Sequence, residues 1–211
     1  MRAVLFDFDG VIADTETIHY LTGKEVLKRR GYDLTRPVHD KTTGISMNDT
    51  WKVFREYFGF NDPTDVLMKE YFEVFDSKID SDVRLVSGIR DVIYMAVTDG
   101  MKIAIGSSGE IDYILRIIGK FDLPFKKDQI VTAKMAGRGK PFPDIYIKAA
   151  NMLRVPPSEC LVIDDAPNGI QAATNAGMRS IYLNSYLPMP EGAVNCIQVD
   201  SLLEVTPDML R

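Results

Sequence analysis

Two aspartates close a short apolar run near the start of the chain, Ala3-Val4-Leu5-Phe6 followed by Asp7-Phe8-Asp9-Gly10. On an extended chain residues i and i+2 share a side, so Asp7 and Asp9 project together while Phe8 faces away. Two carboxylates this close repel unless a cation or a proton stands between them. A second acidic pair, Asp164-Asp165, ends another apolar run, Cys160-Leu161-Val162-Ile163. Acidic ends on two strands of one parallel sheet make an oxygen-rich site suited to a hard divalent cation, with Mg2+ the first choice. Ser107-Ser108-Gly109 follows a third run and precedes a helical pattern, and hydroxyls and free amides at a helix start can hold phosphate oxygens. Gly139-Lys140-Pro141-Phe142-Pro143-Asp144 sets a lysine on a loop stiffened by prolines, where it can balance negative charge. Each fragment also has a plain structural account. Asp-Gly is turn chemistry, Asp164 and Asp165 can cap a helix beginning near Asn168, Ser-Ser-Gly is an ordinary turn, and a loop lysine is commonly solvated.

The elements that must position these groups alternate along the chain. The runs at Ala3–Phe6, Lys102–Gly106, Cys160–Ile163 and Ser180–Leu183 suit buried strands. Between them Ile111, Ile114, Leu115 and Ile118 fall at helical spacing, as do Tyr146, Ala149, Ala150 and Leu153, and Val92, Ile93, Ala96 and Val97. Strand and helix in alternation predict an α/β fold, a doubly wound, mostly parallel sheet with helices on both faces. The segment from Glu16 to Val83 differs. It holds no buried-strand pattern, and its aromatic stripes, Met47, Trp51, Phe54 and Phe58, then Met68, Phe72, Phe75 and Ile79, predict packed helices. An all-helical segment inserted after the first strand is expected.

Composition bounds the rest. The chain has 211 residues and a formal net charge of −5, with 45% hydrophobic residues. That is an ordinary globular composition long enough for a sizeable core. An acidic balance without a basic run argues against a nucleic-acid surface. No apolar stretch is long enough for a bilayer, and no targeting segment is expected at the start. With two cysteines a disulfide scaffold is excluded, and a reduced, cytoplasmic monomer is the expectation.

In this order the four motifs resemble the haloacid-dehalogenase (HAD) superfamily of phosphotransferases. The matching elements are DFDGVIADT at Asp7–Thr15, IAIGSSG at Ile103–Gly109, GKPFPDIY at Gly139–Tyr146 and IDDAPNGIQAATNAGM at Ile163–Met178. They are most similar to the branch holding β-phosphoglucomutase and sugar-phosphate phosphatases. The resemblance implies a Rossmann-like core of residues 1–15 and 84–211 and a small helical cap of residues 16–83. It implies Asp7 as nucleophile forming an aspartyl-phosphate, with Asp9 as general acid and base. Ser107, with Ser108 beside it, would bind phosphoryl oxygens, and Lys140 would offset the charge between nucleophile and phosphate. Mg2+ would be held by Asp7, the Asp9 carbonyl and Asp165, with Asp164 a ligand directly or through water. Thr15 and His19 at the hinge, and Lys69 on a cap helix, are implied to face substrate.

The expected activity is that of a Mg2+-dependent phosphatase of a small phosphorylated metabolite, a sugar phosphate. β-Phosphoglucomutase is the enzymatic alternative. A phospho-accepting receiver or binding domain is the alternative of another class, although receivers place the acidic pair first and the acceptor aspartate later. Two departures from the branch stand out. Gly44-Ile45-Ser46 is followed by Met47 and Asn48 where mutases carry an arginine, and Ala166 stands where many relatives have serine.

Overall fold

Ala3-Val4-Leu5-Phe6 carries no polar side chain, and all four residues are fully buried. A strand apolar on both faces belongs in the middle of a parallel sheet covered by helices. The computed structural model, which describes residues 1–42, 47–183 and 188–211, places it there. The sheet strands are β1 (Ala3–Phe6), β2 (Lys102–Ser107), β3 (Ile130–Thr132), β4 (Cys160–Asp164), β5 (Arg179–Leu183) and β6 (Cys196–Val199). Their order is β3-β2-β1-β4-β5-β6, and every neighbouring pair is parallel.

The chain moves outward from β1 first through β2 and β3, then returns to β1 and moves the other way through β4. The order therefore reverses between β1 and β4, and in open α/β sheets the crevice beyond the strand ends at such a reversal is where ligands bind. Register keeps the motif ends level. Phe6 stands opposite Ile105 on one side and Ile163 on the other. The Asp7 amide continues the ladder, donating to the Ile163 carbonyl at 2.9 Å.

Alternate residues of the strands face opposite layers. Ala3, Leu5, Ala104 and Val162 pack with Tyr146, Ala149, Ala150 and Leu153 of the helix Asp144–Leu153. The predicted face of that helix is buried as read. In the helix Ile111–Phe121 the buried face is Ile114, Ile117 and Ile118.

Packing divides the chain into two compact units, Met1–Asp14 with Leu85–Arg211, and Thr15–Arg84. The second contains the helices Glu16–Lys28, Arg36–His39, Met47–Phe58 and Thr64–Asp82. Trp51 is its central side chain, fully buried and edge-on to Phe54 at 5.7 Å and Tyr71 at 6.0 Å. The stripe expected on the last helix holds at Phe75 and Ile79 and is shifted by one position at Met68 and Phe72. Leu67, Tyr71, Val74, Phe75 and Ile79 are buried, whereas Phe72 is 44% exposed. Tyr71, not Phe72, meets the Trp51 ring. Arg30 adds a polar tie, with its guanidinium 2.7 Å from both Asp62 and Glu70. The Gly44-Ile45-Ser46 motif lies outside the described residues.

Candidate active site

Four of the predicted site positions meet at the ends of β1 and β4. Lys140, on the loop before the helix Asp144–Leu153, lies with its Nζ 2.7 Å from Asp7 Oδ1 and 2.8 Å from Asp164 Oδ2. Its side chain is 5% exposed, and Asp164 is fully buried. Asp7, Asp164 and Asp165 bring carboxylate oxygens within 4.8 Å of one another.

Asp164 has both oxygens engaged. Oδ2 takes the Lys140 ammonium and the Tyr146 hydroxyl, and Oδ1 accepts from the Ala166 amide at 2.9 Å. The amide bond ties the strand end to the start of the helix Pro167–Asn175. Asp165, the next residue, is half-buried. Gly10 makes room for it. A Cβ at Gly10 would lie 1.9 Å from Asp165 Oδ2, and Gly10 has φ +78°, a conformation open to glycine without strain.

The electrostatics follow from crowding. Burial, with the neighbouring Asp164 and Asp9 charges, pushes Asp7 up to about 7 against the pull of Lys140. Burial and the charges of Asp7 and Asp164 push Asp165 well above the usual carboxylate range. For Lys140, burial works downward, but Asp164 and Asp7 outweigh it and hold the ammonium well above its ordinary value. One lysine thus faces three aspartates, Asp7, Asp164 and Asp165, in a small volume. Acids displaced upward in this way have a site with unmet demand for positive charge. The donors are carboxylate oxygens, which suit a hard divalent cation such as Mg2+.

Ser107 ends β2 fully buried, and its Oγ accepts from the Gly109 amide at 2.9 Å. A hydroxyl that accepts there still has its own proton to donate. Ser108 is exposed. Asp9 is half-buried and accepts a hydrogen bond from the Tyr113 hydroxyl.

Thr15, His19 and Lys69 belong to the helical unit. Thr15 is buried and Lys69 exposed. His19 stacks on Phe75 at 4.9 Å and shares a hydrogen bond with the Tyr71 hydroxyl. In the same unit Glu16, His39 and Asp40 also cluster within 4.8 Å. Arg36 lies 3.2 Å from Asp40 and 3.8 Å from Glu16, so a guanidinium already balances those carboxylates. Burial, then the Arg36 charge, pushes His39 down to about 4.

Two tyrosines were not singled out for chemistry by the sequence. Tyr146 reads as a core residue from its helical spacing, and its ring is in the core, but its hydroxyl reaches Asp164. Tyr113 falls between the apolar positions of its helix, where spacing carries no signal.

The haloacid dehalogenase-like hydrolase family profile matches residues 4–183. The chain is 26% identical over 216 residues to a phosphorylated carbohydrates phosphatase of Thermotoga maritima, covering 100% of both. It is 31% identical to the β-phosphoglucomutase of Bacillus subtilis, over 90% of this chain and 86% of that one. Among solved structures, a HAD hydrolase of family IA, variant 3, from Entamoeba histolytica superposes with a TM-score of 0.84 at 25% identity, covering 100% of this chain and 97% of that one.

Proposed function

The chain belongs to the haloacid dehalogenase-like hydrolase family, as a phosphatase or related phosphomutase, and we propose that it is a Mg2+-dependent phosphatase of sugar phosphates. The observation that carries this reading is the buried Lys140 ammonium, 2.7 Å from Asp7 and 2.8 Å from Asp164 at the point where the strand order reverses. A carboxylate is a modest nucleophile and is repelled by a phosphate. A lysine fixed against it lowers that repulsion and holds the carboxylate still.

In the first step an Asp7 carboxylate oxygen bonds to phosphorus as the ester P–O bond breaks. The proton of the Asp9 carboxyl passes to the departing sugar oxygen. Asp9, now a carboxylate, takes a proton from water. The water oxygen bonds to phosphorus, inorganic phosphate leaves, and the Asp7 carboxylate is restored. Ser107 donates its hydroxyl to a phosphoryl oxygen, and Lys140 balances the charge that gathers on the phosphoryl group. Asp7, the Asp9 carbonyl and Asp165 would hold Mg2+, and Asp164 would serve chiefly by fixing Lys140, since both its oxygens are engaged. Bound Mg2+ supplies Lewis-acid withdrawal of charge from the phosphoryl oxygens.

A second reading, transfer of the phosphoryl group to another hydroxyl of the same sugar, is favoured by the 31% identity to a β-phosphoglucomutase. Met47 and Asn48, where mutases carry an arginine for a second phosphate, support the phosphatase instead. The deciding experiment is a panel of phosphorylated metabolites with Mg2+, separating inorganic phosphate from isomerised sugar phosphate. Release of phosphate is expected. Conversion of a hexose 1-phosphate to the 6-phosphate without phosphate release would overturn the phosphatase reading.

A further inference from the structure

We propose that Tyr113 is a positioning residue for Asp9, holding the carboxyl that gives the proton to the leaving oxygen. The inference rests on the phosphoryl-transfer reading above and adds to it a residue outside the four motifs.

Three features place the tyrosine hydroxyl. Tyr113 is on the first turn of the helix Ile111–Phe121, so its ring is carried back toward the Ser107-Ser108-Gly109 turn, as helical side chains lean toward their own N-terminus. Phe8 meets the ring edge-on, with centroids 5.5 Å apart and planes at 84°. Gly109 lets the ring come in. A Cβ at that position would lie 2.5 Å from Tyr113 Cε1 and 3.4 Å from Cζ, closer than any side chain tolerates at the first atom. The ring is therefore held between Phe8 and the bare backbone of Gly109, and its hydroxyl donates to Asp9 Oδ1.

This gives Gly109 and Phe8 a shared purpose that turn propensity does not supply. A carboxyl on a strand end rotates about two torsions unless something holds it. A hydroxyl donated to Oδ1 fixes the carboxyl plane, and proton transfer in a transition state is sensitive to that orientation. The transferred proton comes from Asp9 and not from Tyr113. Tyr113 touches neither the phosphoryl group nor the leaving oxygen in the proposed step.

General acid assistance matters most for a poor leaving group, which separates positioning from mere folding. The test is the rate of phosphoenzyme formation, measured by rapid quench across aryl phosphates from p-nitrophenyl to phenyl phosphate with Mg2+ saturating. For Tyr113→Phe the rate with phenyl phosphate should fall by about tenfold or more, while p-nitrophenyl phosphate is nearly unaffected. Gly109→Ala should give the same leaving-group dependence in the wild-type background and add nothing to Tyr113→Phe. An equal loss on all esters, or none on any, overturns the proposal. If the wild-type protein turns over no ester at all, the phosphatase reading fails instead. The contact is then tested alone by a stability cycle of Tyr113→Phe with Asp9→Ala, which removes the acceptor. Coupling of about fivefold or more in the unfolding constant is expected, and additivity would refute it.

Discussion

Lys140 and Asp7 are 133 residues apart in the chain, and Nζ lies 2.7 Å from Oδ1. The same ammonium reaches Asp164 at 2.8 Å, so one side chain joins the ends of β1 and β4. Removing it leaves buried carboxylates facing each other. Lys140→Met should lower stability by about 3 kcal/mol in urea denaturation, the range found when one partner of a buried pair is lost. Turnover of p-nitrophenyl phosphate should fall by about a hundredfold or more. Unchanged turnover would remove Lys140 from the proposed mechanism.

Asp7→Asn should abolish the phosphoenzyme. An amide has no carboxylate oxygen to give to phosphorus, so rapid quench after mixing with a phosphoryl donor should trap no acid-stable label. Steady-state turnover should fall by about a thousandfold or more. Labelled mutant protein would mean that another residue is the nucleophile.

The raised pKa of Asp7 gives a signed dependence on pH. Its folded value of about 7 stands above the ordinary 3.8, through burial first and then the charges of Asp164 and Asp9. Below the ordinary value the carboxyl is protonated in both folded and unfolded chains and costs nothing. Between the two values the unfolded chain gives up its proton and the folded one keeps it, so metal-free stability falls as pH rises through that window. A cation that binds the carboxylate competes with that proton. The thermal shift produced by Mg2+ should therefore grow from about pH 5.5 to about pH 8. Melting curves with and without the metal measure it, and a shift independent of pH would separate Asp7 from the metal.

Gly10→Ala should strike the same site from the backbone side. At φ +78° an alanine is strained, at a cost of about 1 kcal/mol. Its methyl would displace the Asp165 carboxylate from 1.9 Å. Mg2+ affinity by calorimetry should fall by about tenfold or more, out of proportion to the stability change. A stability loss with unaltered affinity would argue against Asp165 as a ligand.

The parallel sheet was legible because four of its strands are continuous apolar runs, and such runs mark strands buried on both faces. β3 and β6 were not read. Ile130–Thr132 is three residues long, too short for any period, and Cys196–Val199 is only partly buried at the sheet edge. The meeting of Asp7, Asp164 and Lys140 was implied by the resemblance of the ordered motifs to a known superfamily, not by the spacing of any one motif. What spacing could not give was the division of labour between Asp164 and Asp165. Side by side in sequence, they differ only in how the chain turns after β4, which buries the first against Lys140 and Tyr146 and sets the second beside Gly10. Tyr113 was hidden for a related reason, since its role depends on a ring fitting over Gly109 and not on any pattern of its own helix.

The centre of the sheet also dictates an order of assembly. β1 pairs with β2 and β4, both far downstream, whereas the helical unit is built from segments close in sequence. During synthesis β1 is made before either neighbour and has no complete set of strand partners until the chain has been extended through Asp164. The helical unit can fold on the ribosome while β1 waits. Its aspartates are thus translated before the loop and strand that bury them, Lys140 and Asp164 coming well over a hundred residues later.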